Sequence, residues 1–196
     1  MRFSVIVTAH NSEGYIRKAL DSIKEQTFTD YELIVVCNDC QDNTKAVALE
    51  YTARVFECCH RNCSMTHNVG LDNAWGDYVL FVHDDDWWLH QFVLEMLDSQ
   101  ITSEDVLAFG FVFGRYGFKR PLDNGGLLYP ALWSKAWRRS TIGETRVPDI
   151  DGPGEDLEFT KLVLAGDQVI TIFNEPLYFY NYLRPGSYSA AHNSTG

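Results

Sequence analysis

No stretch of this 196-residue chain approaches the ~18 consecutive apolar residues of a membrane-spanning helix. Basic residues are scarce. The 16 Lys and Arg face 27 Asp and Glu, a net charge of −11, which argues against a long phosphate-tracking surface of the kind that holds nucleic acid. A local basic patch is still compatible with that balance. The five cysteines all fall between residues 37 and 63, an odd and confined set unlike a secreted disulfide framework. Met1 and Arg2 lead straight into FSVIVTA rather than a signal peptide, so a cytosolic, reduced chain is expected. No glycine-rich cradle follows that first strand, which counts against both the dinucleotide fingerprint and the P-loop. Residues 8–14 also hold no Lys or Arg, as a nucleotidyltransferase phosphate loop would require.

What is present is a hydrophobic content of 45%, enough for one compact domain with a substantial core, expected over residues 1–196. Residues 2–9 are almost continuously apolar, the pattern of a strand buried on both faces. Asn11 and Ser12 stand where helix caps do, and Tyr15, Ile16, Ala19, Leu20 and Ile23 fall on one helical face. Strands at 31–37, 54–58 and 78–83 alternate with helices at 44–52 and 65–73. Such alternation predicts right-handed crossovers and a mixed, mainly parallel α/β sheet flanked by helices. Beyond it the sequence predicts a helix at 89–98, a strand at 106–113, a turn at 118–128 around Asn124-Gly125-Gly126, and a helix at 130–139. A loop at 147–154, a helix at 155–165 and a strand at 168–173 complete the pass.

The chemistry concentrates at the end of the strand YVLFVHDDDWW. Asp84, Asp85 and Asp86 repel one another, since at reference pKa values near ~3.9 all three ionise at neutral pH. A divalent cation carrying a phosphorylated ligand offsets such charge, and ligands collect beyond the carboxyl ends of strands in open α/β sheets. A solvated acidic loop is the alternative. Thr8, Ala9, His10 and Asn11 leave a strand and open a helix, where free amides favour an anion. Glu155 and Asp156 start a helix, as capping acids or as a general base. Trp87 and Trp88 pack in the core or stack on a sugar. Cys37 and Cys40 form a CxxC, and with Cys59, His60 and Cys63 make a structural zinc site a further alternative.

Taken in order, SVIVTAHN, EQTF, YELIVVCND, HNVGLDNAWGDYVLFVHDDDW, GEDLEF and EPLYFYNYLRPGSYS resemble family 2 glycosyltransferases of the glycosyltransferase A fold, over nearly the whole chain. ALWSKAWRR likewise looks like the Trp-x-Lys segment ahead of the catalytic acid in small bacterial members. The resemblance implies inverting transfer from a nucleotide sugar, usually a UDP sugar, to an acceptor hydroxyl on a glycan, a lipid-linked sugar or another molecule. It implies that residues 1–88 bind the donor, and that 89–196 bind the acceptor and close over the site. Thr8, His10 and Asn11 would line the nucleotide pocket, with Asn38 or Asp39 facing the base. The Asp-x-Asp of the family falls on His83-Asp84-Asp85, so His83 replaces the first aspartate and Asp85 becomes the principal Mn²⁺ or Mg²⁺ ligand. Asp84 and Asp86 allow a shifted register. Asp156 takes the place of the catalytic base with Glu155 before it, while His67 and Arg184 stand where the diphosphate is met. Cys37, Asn38, His67 and His83 depart from the family pattern. A catalytically silent nucleotide-sugar or metal binding module of the same fold is therefore the rival reading.

Overall fold

The computed structural model describes residues 1–59, 62–122, 126–150 and 154–182. Its first half is the expected alternation: β1 (Phe3–Ala9), α1 (Ile16–Lys24), β2 (Tyr31–Asn38), α2 (Thr44–Leu49), β3 (Val55–Cys58), α3 (Cys63–Asp72) and β4 (Tyr78–His83). All seven residues of β1 are buried, and it pairs in parallel with β2 on one side and β4 on the other. Each large apolar side chain so enclosed contributes about 1.5–3 kcal/mol. The register aligns Ala9 with Cys37 and Thr8 with His83, so three strands end at one level. Helix α3 lies close on β1 because Gly70 has no side chain; an added Cβ would strike Ile6.

After β4 come β5 (Trp87–Trp88), α4 (Val93–Gln100), β6 (Val106–Phe113), β7 (Phe118–Lys119), β8 (Lys135–Arg138), α5 (Arg139–Ile142), α6 (Glu155–Val163) and β9 (Ile170–Tyr180). The sheet runs β3-β2-β1-β4-β8-β6-β9-β5, with β7 also paired to β6. It is a mixed α/β sheet, parallel through β3, β2, β1 and β4 and antiparallel at β8.

Two elements depart from the sequence reading. The helix expected at 130–139 is a short 3₁₀ turn, Leu132–Ser134, followed by β8, antiparallel to both β4 and β6. A spacing of four, as between Trp133 and Trp137, fits one helical turn and equally two strand repeats. Every residue from 131 to 137 is buried, which leaves no polar face to choose between them. The strand expected at 168–173 instead runs eleven residues to Tyr180, parallel to β6, with irregular register around Gly110.

Smaller differences lie at element ends. Asn11 and Ser12 do not cap α1 through their side chains; the Ser12 carbonyl accepts from Tyr15 and Ile16, and Asn11 Oδ1 accepts from the Gln41 amide. Helix α3 begins at Cys63, two residues early, under an Asn62 side chain that accepts from Met65. Of the expected turn at 118–128, β7 and a Leu122–Leu128 bridge are observed, while Asn124 and Gly125 lie outside the described residues.

Candidate active site

The level ends of β1, β2 and β4 bring the first two loops together. His10 is exposed; its amide donates to Asp84 Oδ2 at 2.9 Å, and its ring Nδ1 bonds the Asn38 carbonyl at 2.6 Å. The Thr8 carbonyl accepts from the Asp84 amide. Asn11 and Asp39 both take the left-handed backbone conformation (φ 45° and 47°), which Asn and Asp adopt more readily than other side chains. Asn38 is buried, donating through Nδ2 to the Asn62 carbonyl, and its Oδ1 lacks a partner.

The acidic run divides its labour. Asp84 is buried and tied to the His10 loop as described. Asp86 is fully buried: Oδ2 accepts from the Tyr178 hydroxyl at 2.6 Å and Oδ1 from the Asn181 amide at 2.7 Å. Burial, then Asp85, pushes the Asp86 carboxyl well above the carboxylate range, against those two donors. Tyr178 also accepts from the His83 amide, so one phenol fixes both ends of the run. His83 Nδ1 lies 3.6 Å from Asp86 Oδ2.

His83, Asp85 and Asp86 offer ligand atoms all within 4.8 Å of one another, the one such group of three among the described residues. An imidazole nitrogen with carboxylate oxygens fits a divalent cation such as Mn²⁺ or Mg²⁺. Cys37, Cys40, Cys58, Cys59 and Cys63 are free thiols, and His60, the remaining residue of the zinc alternative, lies outside the described residues. Arg184 lies outside them too.

His67 is only 1% exposed, its ring against Phe81 (5.1 Å) and His83 (5.9 Å). Burial and then His83 lower it to about 3, so it is a neutral wall behind His83 rather than a cation. Of the tryptophans, Trp88 is 3% exposed and cannot stack on a ligand, while Trp87 is covered by Phe179 (4.1 Å) and by Lys18 Nζ (3.1 Å). Core packing is thus the role of Trp88, while Trp87 is half-buried between Phe179 and Lys18.

The start of α6 lies within electrostatic reach of the acidic run. Gly154, in a left-handed conformation (φ 131°), turns the chain into Glu155 and Asp156. Asp156 Oδ2 accepts from the Leu132 amide at 3.2 Å. Burial and the neighbouring Glu155 raise its carboxyl to about 7, against that amide and Lys135. Lys135 is fully buried on β8, donating to the carbonyls of Tyr129 (2.5 Å) and Ala131 (2.7 Å), and burial lowers it to about 7. Cys63 as a whole is exposed, yet dense surroundings and then Asp156, Glu155 and Asp84 push its thiol up. Carboxylates from α6 and from the end of β4 therefore share one electrostatic neighbourhood. Glu155 also acts on His83.

Two participants, Tyr178 and Lys135, escaped the sequence reading. Their signals were present in EPLYFYNY and in ALWSKAWRR, but only the fold shows which carboxylate each serves.

Residues 4–147 match the family model for glycosyl transferase family 2. This chain belongs to that family. As a family 2 glycosyltransferase it is 26% identical to the glycosyltransferase GlyA of Streptococcus pneumoniae over 96% of this chain and 31% of GlyA. It is also 26% identical to the poly(ribitol-phosphate) beta-N-acetylglucosaminyltransferase TarS of Staphylococcus aureus over 97% of this chain and 37% of TarS. The chain thus spans about a third of the length of these relatives. A crystal structure of TarS 1-349 superposes with a TM-score of 0.79 at 25% identity, covering 91% of this chain and 60% of that one. The mannosyltransferase PcManGT of Pyrobaculum calidifontis, solved with GDP-Man and Mn²⁺, shares the fold at a TM-score of 0.74 and 16% identity, over 94% of this chain and 58% of that one.

Proposed function

We propose that this chain transfers a sugar from a nucleotide sugar, a UDP sugar by preference, to an acceptor hydroxyl, with inversion at the anomeric carbon and with a divalent cation held by Asp85 and His83. The observation that carries the reading is Asp156, a buried carboxylate raised to about 7 that shares the electrostatic surroundings of Cys63 with Glu155 and Asp84 of the acidic run. A general base works best when its pKa lies near the working pH.

When bound, the cation neutralises the charge growing on the departing nucleoside diphosphate. The His10 to Asn11 turn and the buried Asn38 shape the nucleotide side. Tyr178 and the Asn181 amide hold Asp86, and through it the run, in place. The Leu132 amide fixes one oxygen of Asp156, so the other can take the acceptor proton as the acceptor oxygen attacks. One base and one displacement leave the anomeric centre inverted. Support for a UDP donor comes from TarS, whose solved complexes include UDP-GlcNAc. The five free cysteines agree with a reducing cytoplasm. Among the described residues no helix is long and apolar enough to cross a membrane, so a lipid-linked acceptor would be met at a surface.

The test is release of the nucleoside diphosphate from a panel of nucleotide sugars, with Mn²⁺ or with a chelator, for the native chain and Asp156→Asn. Release that needs the cation and collapses in Asp156→Asn is expected. Nucleotide binding without turnover in the native chain would instead establish the silent binding module, the reading fed by Cys37, Asn38, His67 and His83.

A further inference from the structure

Residues 146–149 form a strap that is fastened rung by rung along one face of α3. Arg146 pairs with Asp72 at 2.7 Å, Val147 with Asn68, Pro148 with Ser64, and Asp149 with Asn62. As the strap advances by one residue its partner steps back one helical turn, from 72 to 68 to 64, so the strap runs antiparallel to the helix. The Val147 rung is double. Its amide donates to Asn68 Oδ1 at 2.8 Å and its carbonyl accepts from Asn68 Nδ2 at 2.9 Å, so one side chain satisfies both backbone groups of a residue only 2% exposed. Buried backbone groups require partners, and the side-chain amide of Asn offers a donor and an acceptor in one plane.

Both parts of this bracket reach the candidate site. Helix α3 is seated on β1 where Gly70 admits Ile6, and it sets His67, the neighbour of Asn68, against the ring of His83 at 5.9 Å. Its first residue, Cys63, feels the charges of Asp156, Glu155 and Asp84. On the strap, Ile150 follows Asp149, and a Cβ built on Gly154 would stand 3.6 Å from Ile150 Cδ1. The end of the strap therefore packs on the residue that turns the chain into Glu155 and Asp156. Two contacts thus locate the start of α6: the Leu132 amide holds Asp156 at 3.2 Å from the turn before β8, and Ile150 meets Gly154 from the strap.

We propose that Asn68 is a positioning residue for the proposed base: its paired bonds to Val147 hold the strap, and with it the start of α6, in register with the cation site that α3 flanks through His67. The proposal rests on the glycosyl-transfer reading for what Asp156 does, but not for where Asp156 is held. Displacement of a reacting group by ~1 Å is enough to cost roughly 10²-fold in rate, so a helix that touches both sides of the site has leverage on turnover without meeting a substrate.

Asn68→Ala tests this, because alanine favours the helix and removes only the double rung. Turnover of the nucleotide sugar and UDP binding by calorimetry, both with Mn²⁺, are measured beside hydrogen exchange at the Leu132 amide, whose acceptor is Asp156. A kcat lower by roughly 10–10²-fold with UDP affinity unchanged is expected. Exchange at Leu132 should rise by more than exchange at the β1 amides, which report opening of the whole fold. Ser64→Ala, which removes the Pro148 bond alone, should show the same pattern more weakly, and it carries the test should Asn68→Ala fail to fold. An unchanged kcat, or Leu132 exchange rising only as far as that of β1, would overturn the proposal and leave the strap as packing. Equal losses in kcat and UDP affinity would overturn it in favour of an effect through His67 on the cation side. A native chain without turnover would remove only the base reading, and the Leu132 amide would still decide whether Asn68 places Asp156.

Discussion

The Tyr178 hydroxyl donates to Asp86 Oδ2 at 2.6 Å where neither side chain is exposed, and accepts the His83 amide at 3.1 Å. A single phenol near the end of β9 thereby sets the shape of a loop that follows β4, some 92 residues earlier. Removing it should be felt in stability and in the cation site alike. Tyr178→Phe keeps the ring stack on Trp133 but leaves a buried carboxyl oxygen and a buried amide each short of a partner, at about 1–3 kcal/mol per group. Urea unfolding should show a loss in that range, and Mn²⁺ affinity should fall; native stability in Tyr178→Phe would remove the hydroxyl from this role.

Asp156 gives a pH signature in which activity and stability move in opposite directions. Burial and Glu155 raise its carboxyl to about 7, so the ionised base appears only as pH climbs through that value, and the rate should climb with it. The folded chain holds this proton to higher pH than the unfolded chain does. Its contribution to stability is therefore complete below about pH 4 and is lost as pH rises through about 7. Asp156→Asn should flatten both dependences and lower turnover by roughly 10²–10⁴-fold. A rate profile with the same acidic limb in Asp156→Asn would assign the limb to another group.

In the proposed cation site His83 offers a nitrogen where a carboxylate would offer an oxygen, a change that favours transition metals over Mg²⁺. His83→Asp restores a carboxylate beside Asp85 and should narrow the preference for Mn²⁺ over Mg²⁺. Competition between the two ions, followed by the electron spin resonance of free Mn²⁺, reads this without any turnover. An unchanged ratio would take His83 out of the ligand set.

The first half of the fold was legible because a central parallel strand has no polar face and its connecting helices have one: β1, α1 and β2 could be read from Phe3, Val5, Ile6 and Val7 against Ile16, Ala19 and Ile23. The acidic run was legible for a different reason, since like charges in sequence need an explanation anywhere. What sequence could not supply was which residues hold those carboxylates in place. Nothing local to Tyr178 marks it as the partner of Asp86, because the contact depends on β9 running on past residue 173 beside β6. The Lys135 segment failed because complete burial erases periodicity, the one signal that tells helix from strand.

Lys135 provides the sharpest separation of positioning from chemistry. It does not hydrogen-bond Asp156; its ammonium is spent on the carbonyls of Tyr129 and Ala131, which shape the turn that presents the Leu132 amide to Asp156. Its charge nonetheless lowers the Asp156 carboxyl, opposing burial and Glu155. Lys135→Met should therefore do two things at once. The Tyr129 carbonyl loses its donor while the Ala131 carbonyl keeps Ser134 Oγ, a loss of about 1–3 kcal/mol in unfolding experiments. The acidic limb of the rate profile should move to higher pH, because the base has lost the cation that favoured its ionised form. A purely structural lysine would lower stability and leave the limb where it was, so the pH profile, not the rate at one pH, decides whether Lys135 tunes the base.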